Sequence, residues 1–332
     1  MNFTSMDYFV AVAEERSFTR AAERLSVTQQ TLSAHIAGVE RELGVRLVNR
    51  KVPLTLTYAG EVFLGYARRF QAQERSMRQE FLDIAGDQQG LLGVGIASTR
   101  GHMLMPEALS RFGVTHPGVN VLLHEEENEQ LVELLREGRL DMVIATVTHE
   151  AADLVVRRLY REQVVLLASR GLLEETYGER ARAVIGHVES SGDLGPLADL
   201  PFLMLGENDE PGDLARRLFE RSGVRPWIRV HSKNSETLVD LVACGMGACF
   251  VPFELATDAL ERHGEDRLAM IGLGPDAFID IDVAWRVSDH VWSVVTDFYD
   301  TLVELFATRP HGIGDVTRGK TRQGGARQGG GA

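Results

Sequence analysis

The sequence predicts a protein in two parts, an all-α domain and an α/β domain, which are joined by one long helix. Three patterns in the 332 residues predict this division. Apolar residues recur with the helical period up to about residue 85. From residue 91, short apolar runs that are typical of strands alternate with amphipathic helices, as in an α/β domain. The segment 86–90 has a glycine at each end, and we expect it to end the long helix and form a hinge.

Two short helices are predicted between Ser17 and Gly44. Ser17 and Thr28 stand at N-cap positions, and Gly44 supplies a C-terminal stop. Behind the caps run two apolar stripes with helical spacing, Phe18, Ala21, Ala22 and Leu25, then Leu32, Ile36, Val39 and Leu43. Two such helices joined by a short turn form a helix-turn-helix.

The outer face of the second helix is small and polar. It carries Gln30, Ser33, Ala34, Ala37 and Arg41, with Gln29, Thr31 and His35 on its flanks. A helix that enters the major groove of DNA needs such a face, and glutamine can pair with adenine N6 and N7. The alternative is an ordinary polar face on a three-helix core, because two helices and a turn recur in many folds.

Other elements surround this unit. Phe3 to Glu15 is predicted to form a first helix, with Met6, Phe9, Val10 and Ala13 facing inward. Short strands are predicted at 47–49 and 54–56, with Arg50 and Lys51 in the turn between them. These two cations would contact phosphates or the minor groove, which gives affinity rather than sequence choice. The alternative is a solvated turn.

Residues 58–87 are predicted to form one long helix with an apolar seam. Phe63, Phe70, Met77 and Ile84 recur every seven residues. Ala67 and Phe81 follow Phe63 and Met77 by four residues and occupy the second apolar position of the seven-residue repeat. A solitary helix cannot bury such a seam, so we expect the same helix of a second subunit to cover it. The alternative is that the seam packs on the chain's own α/β domain.

The α/β part begins at residue 91. Strands are predicted at 92–97, 119–124, 142–145, 154–158, 164–168, 202–205, 228–230, 249–251 and 279–287, and helices at 103–112, 129–137, 213–221, 236–244 and 292–306. The alternation predicts a parallel sheet, with the strand near residue 164 crossing into a second lobe. No function is predicted for residues 171–197.

Charge is distributed unevenly along the chain. The net charge is −13, yet residues 1–88 hold 11 basic and 11 acidic residues, so the later part carries all of the excess. Residues 16–51 hold 7 basic and 3 acidic residues, which predicts a positive field at the helix-turn-helix. Two cysteines argue against a disulfide framework, and we expect neither a signal peptide nor a membrane span.

The N-terminal residues resemble those of a known family. The resemblance is carried by Tyr8–Glu14, Ser17–Leu25, Ser33 with Ile36, Glu42–Leu47 and Leu56–Gly60. From Met6 to Gly60 the chain is similar to the DNA-binding domain of LysR-type transcriptional regulators, and a weaker similarity continues to about residue 305. The chain departs from the family pattern at Gln30, Ala34 and Val48. Gln30 and Ala34 lie on the groove-facing side, so the resemblance does not imply which operator bases are preferred.

The resemblance implies a winged helix-turn-helix domain (1–57), a linker and dimerisation helix (58–89) and an effector domain (90–307) of two Rossmann-like lobes, as in periplasmic solute-binding proteins. Lobe I would be about 90–163 and 268–307, and lobe II about 164–267. Residues 308–332 are predicted to be a disordered, basic, glycine-rich tail. The expected DNA contacts are Ser17, Arg20, Thr28, Gln29, Gln30, Thr31, Ser33, Ala34, His35, Arg50 and Lys51.

Ligands of open α/β sheets lie beyond the carboxyl ends of the strands. That rule selects Ser98, Thr99, Arg100, Glu127, Asn128, Thr146, Val147, Glu207, Asn208, Asn234, Ser235 and Phe250 as candidate effector contacts. Ser98 and Thr99, at a helix N-terminus, are suited to an inducer carboxylate. Plain N-capping is the alternative for Ser98, Asn128 and Asn234. The run Glu125-Glu126-Glu127 favours a cationic or hydroxyl group, or else is a solvated loop.

The sequence therefore predicts a cytoplasmic bacterial regulator, a homodimer or homotetramer that binds double-stranded promoter DNA and a small-molecule inducer. RNA polymerase is a further expected partner, and no membrane, cofactor, metal or catalytic residue is expected. Two alternatives stay open, a solute-binding protein and a redox-sensing regulator that uses Cys244 and Cys249. An enzyme is the least favoured class, because no nucleophile and base are paired in the sequence.

Overall fold

The computed structural model describes residues 2–51, 53–86, 89–147, 151–206, 209–307 and 309. Its N-terminal part holds helices α1 (Phe3–Glu15), α2 (Phe18–Arg24) and α3 (Gln29–Leu43), and the strands β1 (Val48–Asn49) and β2 (Thr55–Leu56). The two strands pair antiparallel, Val48 opposite Leu56, so the predicted hairpin is present. Among the described residues, no helix combines the length and apolar character needed to cross a bilayer.

The core of the N-terminal part is formed where the apolar stripes meet. Phe9, Leu32 and Ile36 are fully buried, and the ring of Phe9 meets that of Phe63 edge to face at 4.9 Å. The predicted stripe of α3 fails only at its last position, since Leu43 is 42% exposed. The reason is local, because α3 ends at Leu43 and Gly44 turns the chain away in the left-handed conformation.

One long helix, α4 (Tyr58–Ala85), follows the hairpin. The Thr57 side chain caps its start, and Gly86 ends it with a φ of 67°. Two residues of the predicted seam do not face a partner, because Phe63 and Ala67 are buried in the chain's own N-terminal core. The first third of α4 therefore belongs to the N-terminal domain, and this part of the seam prediction was wrong.

The α/β part contains nine further strands and eight further α-helices among the described residues. The strands are β3 (Gly90–Ile96), β4 (Val119–Glu125), β5 (Met142–Ala145), β6 (Leu154–Ser169), β7 (Pro201–Leu205), β8 (Trp227–Ser232), β9 (Ala248–Pro252), β10 (Leu268–Gly272) and β11 (Phe278–Arg286). The helices are α5 (Ser98–Thr115), α6 (Asn128–Arg136), α7 (Arg170–Tyr177), α8 (Ala181–Ser191), α9 (Glu210–Arg221), α10 (Ser235–Ala243), α11 (Phe253–His263) and α12 (Ser293–Phe306).

These strands form one mixed sheet with the order β4-β3-β5-β11-β6-β9-β7-β8, and β10 pairs with β6 beside this path. Parallel pairing is confined to β4-β3-β5 in one lobe and β9-β7-β8 in the other. The long strands β6 and β11 run antiparallel to their neighbours and join the lobes. The predicted two-lobed α/β fold is confirmed, but the sheet is not parallel throughout.

Several elements depart from the sequence predictions. The two strands predicted at 154–158 and 164–168 are one strand, β6, with a bulge in its pairing to β11. Residues 171–197 fold mainly into α7, α8 and two short 3₁₀ turns, and their Leu173, Tyr177 and Val188 enter the main core. Helix α11 and strand β10 were not predicted. The predicted tail lies almost wholly outside the described residues.

Candidate DNA interface and inducer cleft

Helix α3 presents its first turns to solvent. The Thr28 hydroxyl caps it by accepting the Thr31 N–H at 3.1 Å. Gln29, Gln30 and Thr31 are exposed, together with Ala34 one turn later, while Ser33 is half-buried. The cap fixes the start of the helix and the buried stripe fixes its rotation, so these side chains are held on a solvent-exposed, acid-free surface.

His35 does not belong to that surface. Its Nδ1 lies 2.9 Å from the Ser5 hydroxyl of α1, and its ring meets the Tyr8 ring edge to face at 4.8 Å. His35 is therefore a half-buried packing residue between α3 and α1, and this geometry does not support its predicted contact with DNA. The reason is its position on α3, one residue before the buried Ile36.

The start of α2 is built in the same way as that of α3. The Ser17 hydroxyl accepts the Arg20 N–H at 3.3 Å, and Arg20 is exposed, 3.6 Å from Glu15. The left-handed turn before α2 is at Arg16, whose φ is 47°. Ser17 thus acts as the cap of α2, and Arg20 keeps a solvent-accessible guanidinium in the first turn of that helix.

The side chain of Arg50, in the turn of the hairpin, packs back onto the helix-turn-helix. Arg50 donates to the Ser33 hydroxyl at 3.3 Å, lies 3.7 Å from Glu40 and stacks 5.4 Å from the centre of the Phe18 ring. Glu40, which the sequence reading did not select, accepts the Leu47 N–H at 2.8 Å and so ties the hairpin to α3. Lys51 is exposed at the turn.

Helix α4 lies along lobe I and is attached to it by polar contacts. Arg68 bridges Glu14 at 3.6 Å and Glu137 at 2.6 Å, which links α1 and α4 to the end of α6. The Gln79 amide donates to the buried Asp141 carboxylate at 2.9 Å. Gly138 packs so closely that a Cβ there would lie 2.1 Å from the Ala72 Cβ. These contacts span the predicted hinge at 86–90, because they join α4, which precedes it, to lobe I, which follows it.

A second attachment lies at the end of α4. The Asp83 carboxylate accepts the Ser293 N–H at 2.9 Å and the Ser293 hydroxyl at 2.7 Å, and its Oδ2 is 2.7 Å from His290 Nε2. Burial by itself raises the pKa of Asp83, but the hydrogen bonds from Ser293 and His290 outweigh it and hold the pKa below its ordinary value. The Asp83 carboxylate is therefore stabilised in its charged form at the junction of α4 and α12.

The opposite side of α4 is apolar and exposed. Phe70 is 40% exposed, Met77 51%, Phe81 64% and Ile84 73%. At about 100° per residue these positions lie roughly half a turn from Gln79 and Asp83, which contact lobe I. The far end of the helix therefore has one polar face on its own chain and one apolar face in solvent.

A cavity of about 540 Å³ lies at the edge of the cleft between the lobes. Its wall includes Asn128, Thr146 and Val147 of lobe I, which the sequence reading had selected, and Glu210 at the start of α9 in lobe II. Thr146 donates to the Asp280 carbonyl at 3.2 Å, so its hydroxyl oxygen can still accept. The cleft thus brings together residues that are far apart in the chain.

Arg100 is buried behind this cleft, with only 5% of its surface exposed. Its guanidinium lies 3.4 Å from Glu162 of β6, which is 1% exposed. Burial disfavours the charged guanidinium, but Glu162, Tyr160 and Asp209 outweigh it and raise the pKa of Arg100. The pair joins lobe I to the strand that crosses between the lobes.

Direct contacts also connect the two lobes. The Thr99 and Ser235 hydroxyls are 2.9 Å apart, and His102 Nδ1 lies 3.8 Å from Glu236. Asn234 caps α10 by accepting the Thr237 N–H at 2.9 Å, as the capping alternative predicted. Phe250 is a core residue, packed against Phe202 and Phe219, because its strand is buried on both faces, so it was wrongly selected as a cleft residue.

Two acidic residues of the cleft were missed by the sequence reading. Asp209 caps α9 by accepting the Gly212 N–H at 3.1 Å, and Glu210 is the first residue of that helix. Burial raises the pKa of both carboxyls above their ordinary values, although Arg100 acts in the opposite direction on each. Glu207 and Asn208 were selected instead, and they lie outside the described residues, as does the side chain of Ser98.

Comparisons with known proteins match this architecture. The family model described as "LysR substrate binding domain" matches residues 85–307, and the model "Bacterial regulatory helix-turn-helix protein, lysR family" matches residues 3–61. The chain belongs to the LysR family. It is a LysR-type DNA-binding transcription regulator with an effector-binding domain, and its family is one of transcription regulators rather than enzymes.

Relatives of this LysR-type regulator span nearly its whole length. It is 28% identical to the DNA-binding transcriptional dual regulator OxyR of Escherichia coli (strain K12) over 316 residues, 94% of this chain and 97% of that protein. Full-length OxyR C199D from Pseudomonas aeruginosa is similar in structure, with a TM-score of 0.67, 26% identity and coverage of 92% and 94%. CbnR complexed with its target DNA, at 23% identity and a TM-score of 0.61, shares the fold.

The cysteines of this LysR-type regulator differ from each other in accessibility. Cys244 is exposed after α10, whereas Cys249 is buried in β9. Burial raises the pKa of the Cys249 thiol, which disfavours the reactive thiolate. No observation therefore favours the redox-sensing alternative over a regulator that binds its effector in the cleft.

Proposed function

We propose that this regulator places α3 in the major groove at each half of a two-fold related DNA site and responds to a small molecule bound between its lobes. The observation that carries the proposal is the exposed, acid-free surface of Gln29, Gln30, Thr31 and Ala34 on a capped helix. Amide side chains on such a helix can pair with base edges. The target DNA is promoter DNA in the bacterial cytoplasm, where RNA polymerase is the further partner.

Phosphate contacts would come from cations around this surface. Arg20 is exposed at the start of α2, and Arg50 and Lys51 lie in the hairpin. Because Arg50 also touches Ser33, the hairpin and α3 would approach the duplex as one unit. The excess negative charge lies after residue 88, and it would repel phosphates from the rest of the chain. Affinity would therefore fall as salt rises.

Replacing Gln29 by alanine tests base recognition. We expect binding to the specific site to weaken by about 1–3 kcal/mol, because one amide pairing with a base is lost, and nonspecific binding to stay nearly unchanged. Gel shifts with DNA from upstream of the regulator's own gene and with unrelated DNA measure both. Gln130→Ala, on the exposed side of α6, is the matched control. Equal weakening on the two DNAs would mean that Gln29 reads no base.

A homodimer, or a homotetramer built from such dimers, would place two copies of α3 on one duplex. The apolar side of α4 supports this proposal, since Phe70, Met77, Phe81 and Ile84 are exposed while the opposite side packs on lobe I. Exposed apolar side chains in a row at helical spacing are typical of a helix that pairs with its own copy.

Replacing Phe81 by glutamate tests this interface. The two-fold axis would place two new carboxylates against apolar side chains, so we expect the dimer dissociation constant to rise about a hundredfold or more. Sedimentation velocity of the full chain measures it. Val303→Glu, a partly exposed apolar residue of α12, is the control and should leave the assembly intact. Assembly unchanged by Phe81→Glu would exclude this face.

A further inference from the structure

The described wall of the inducer cleft offers mainly hydrogen-bond acceptors. Glu129 and Glu210 line the 540 Å³ cavity, and its one cation, Arg136, is neutralised by Asp153 at 2.8 Å. Deeper in the cleft, the charge of Arg100 faces Glu162 at 3.4 Å. Negative charge therefore remains in excess, and a purely anionic molecule would meet a repulsive site.

Among the described residues, two buried polar atoms have no hydrogen-bond partner, one in the wall of this cavity and one on a side chain behind it. One is the Asn128 amide oxygen, an acceptor in the cavity wall close to Glu210. The other is the Nε of Arg100, a donor on a side chain that is more than nine-tenths buried. Buried polar atoms without partners are unfavourable, so a bound molecule that satisfies both would be stabilised. That molecule must carry a donor and an acceptor.

The positions of these atoms indicate how the bound molecule would be oriented. Arg100 belongs to the first turn of α5, whose N-cap position is Ala97 and has no side-chain cap, and a carboxylate is favoured at such a helix end. Asp209, Glu210 and the Asn128 oxygen lie at the starts of α9 and α6. Glu127, before α6, acts electrostatically on Asp209. The start of α5 thus suits a carboxylate, and the starts of α6 and α9 suit an ammonium group.

We propose that the inducer is a zwitterion of the amino-acid class. Its carboxylate accepts from Arg100 Nε and the start of α5 in lobe I, and its ammonium group donates to Glu210, Asp209 and the Asn128 oxygen. The inference rests on the proposed function, since it names the class of molecule that the cleft takes. A molecule of this kind would contact both lobes, and the Thr99–Ser235 contact already joins them. Binding would therefore favour the closed arrangement.

Calorimetric titration of the full chain tests the proposal with three sets of probes. The first set is the twenty common amino acids. The second is the corresponding amines, which lack the carboxylate. The third is the corresponding 2-hydroxy acids, in which a hydroxyl replaces the amino group. We expect at least one amino acid to bind about tenfold or more tighter than both of its truncated analogues, because each lacks one charge-assisted contact. Glu210→Gln should weaken that amino acid about tenfold and leave its hydroxy acid unchanged.

Glu220→Gln, an exposed residue near the other end of α9, is the matched control and should change neither affinity. Tighter binding of a hydroxy acid than of its amino acid, no effect of Glu210→Gln, or no amino acid bound at millimolar concentration would each overturn the zwitterion. Gel shifts distinguish failure of the zwitterion proposal from failure of the proposed function. A protein that binds its upstream DNA but responds only to carboxylates retains that function, whereas one with no salt-sensitive preference for that DNA does not.

Discussion

Alanine at Gly60 is expected to destabilise the N-terminal domain, although alanine usually stabilises a helix. A Cβ at this position in α4 would lie 2.0 Å from the Leu47 carbonyl oxygen. That carbonyl also accepts the Thr57 N–H at 3.0 Å, so it cannot move without loss of a backbone hydrogen bond. We expect the clash to exceed the gain in helix propensity, with a net loss of about 2 kcal/mol.

Hydrogen exchange of the full chain, followed by mass spectrometry, measures this loss at the amides of α1 and α3. A loss of about 2 kcal/mol would accelerate their exchange roughly thirtyfold. Gly65→Ala is the control in the same helix, because nothing lies within 4 Å of its Cβ position, and it should slow exchange or leave it unchanged. Similar behaviour of the two variants would contradict the close approach of α4 to the hairpin.

Replacing Glu162 by glutamine is expected to have the largest effect on the effector domain. The change leaves the Arg100 charge buried at 5% exposure without its carboxylate, 3.4 Å away in the native protein. Loss of one partner of a buried ion pair costs about 3–5 kcal/mol, because the remaining charge is neither solvated nor compensated. We therefore expect a loss of about 3 kcal/mol in the free energy of unfolding.

Urea unfolding followed by tryptophan fluorescence measures this loss, since Trp285 and Trp292 are buried in lobe I. Asp258→Asn removes an exposed ion pair with Arg262 on α11 and should cost about 0.5 kcal/mol or less. Arg100→Gln combined with Glu162→Gln should recover part of the stability, because neither partner of the pair is then left as an uncompensated buried charge. A loss as small as that of the control would mean that Arg100 has other compensation.

The sequence predicted most of the elements, and its failures have specific causes. Strand β10 pairs antiparallel with β6, and such pairing depends on residues about a hundred positions apart. Phe250 was selected because it ends a strand, but its strand is buried on both faces. Asp209 and Glu210 were missed because their carboxyls follow a strand in the same segment as Glu207 and Asn208, and the sequence gives no reason to prefer them. Glu40 was not selected because its contact with the Leu47 N–H is tertiary, and in the sequence it looks like any acidic residue on a helix.

The N-terminal interface was mostly determined by the sequence alone, because caps and apolar spacing are local signals that act within one or two helical turns. Thr28, Gln29, Gln30 and Thr31 could be placed on α3 by counting residues. The cleft could not be placed in this way. Arg100, Asn128, Glu162 and Glu210 come from separate elements, and only the crossing of β6 and β11 between the lobes sets their distances. The charge balance of the cleft and its buried polar atoms without partners are properties of that packing, so only the tertiary structure could suggest the zwitterion proposed for the cleft.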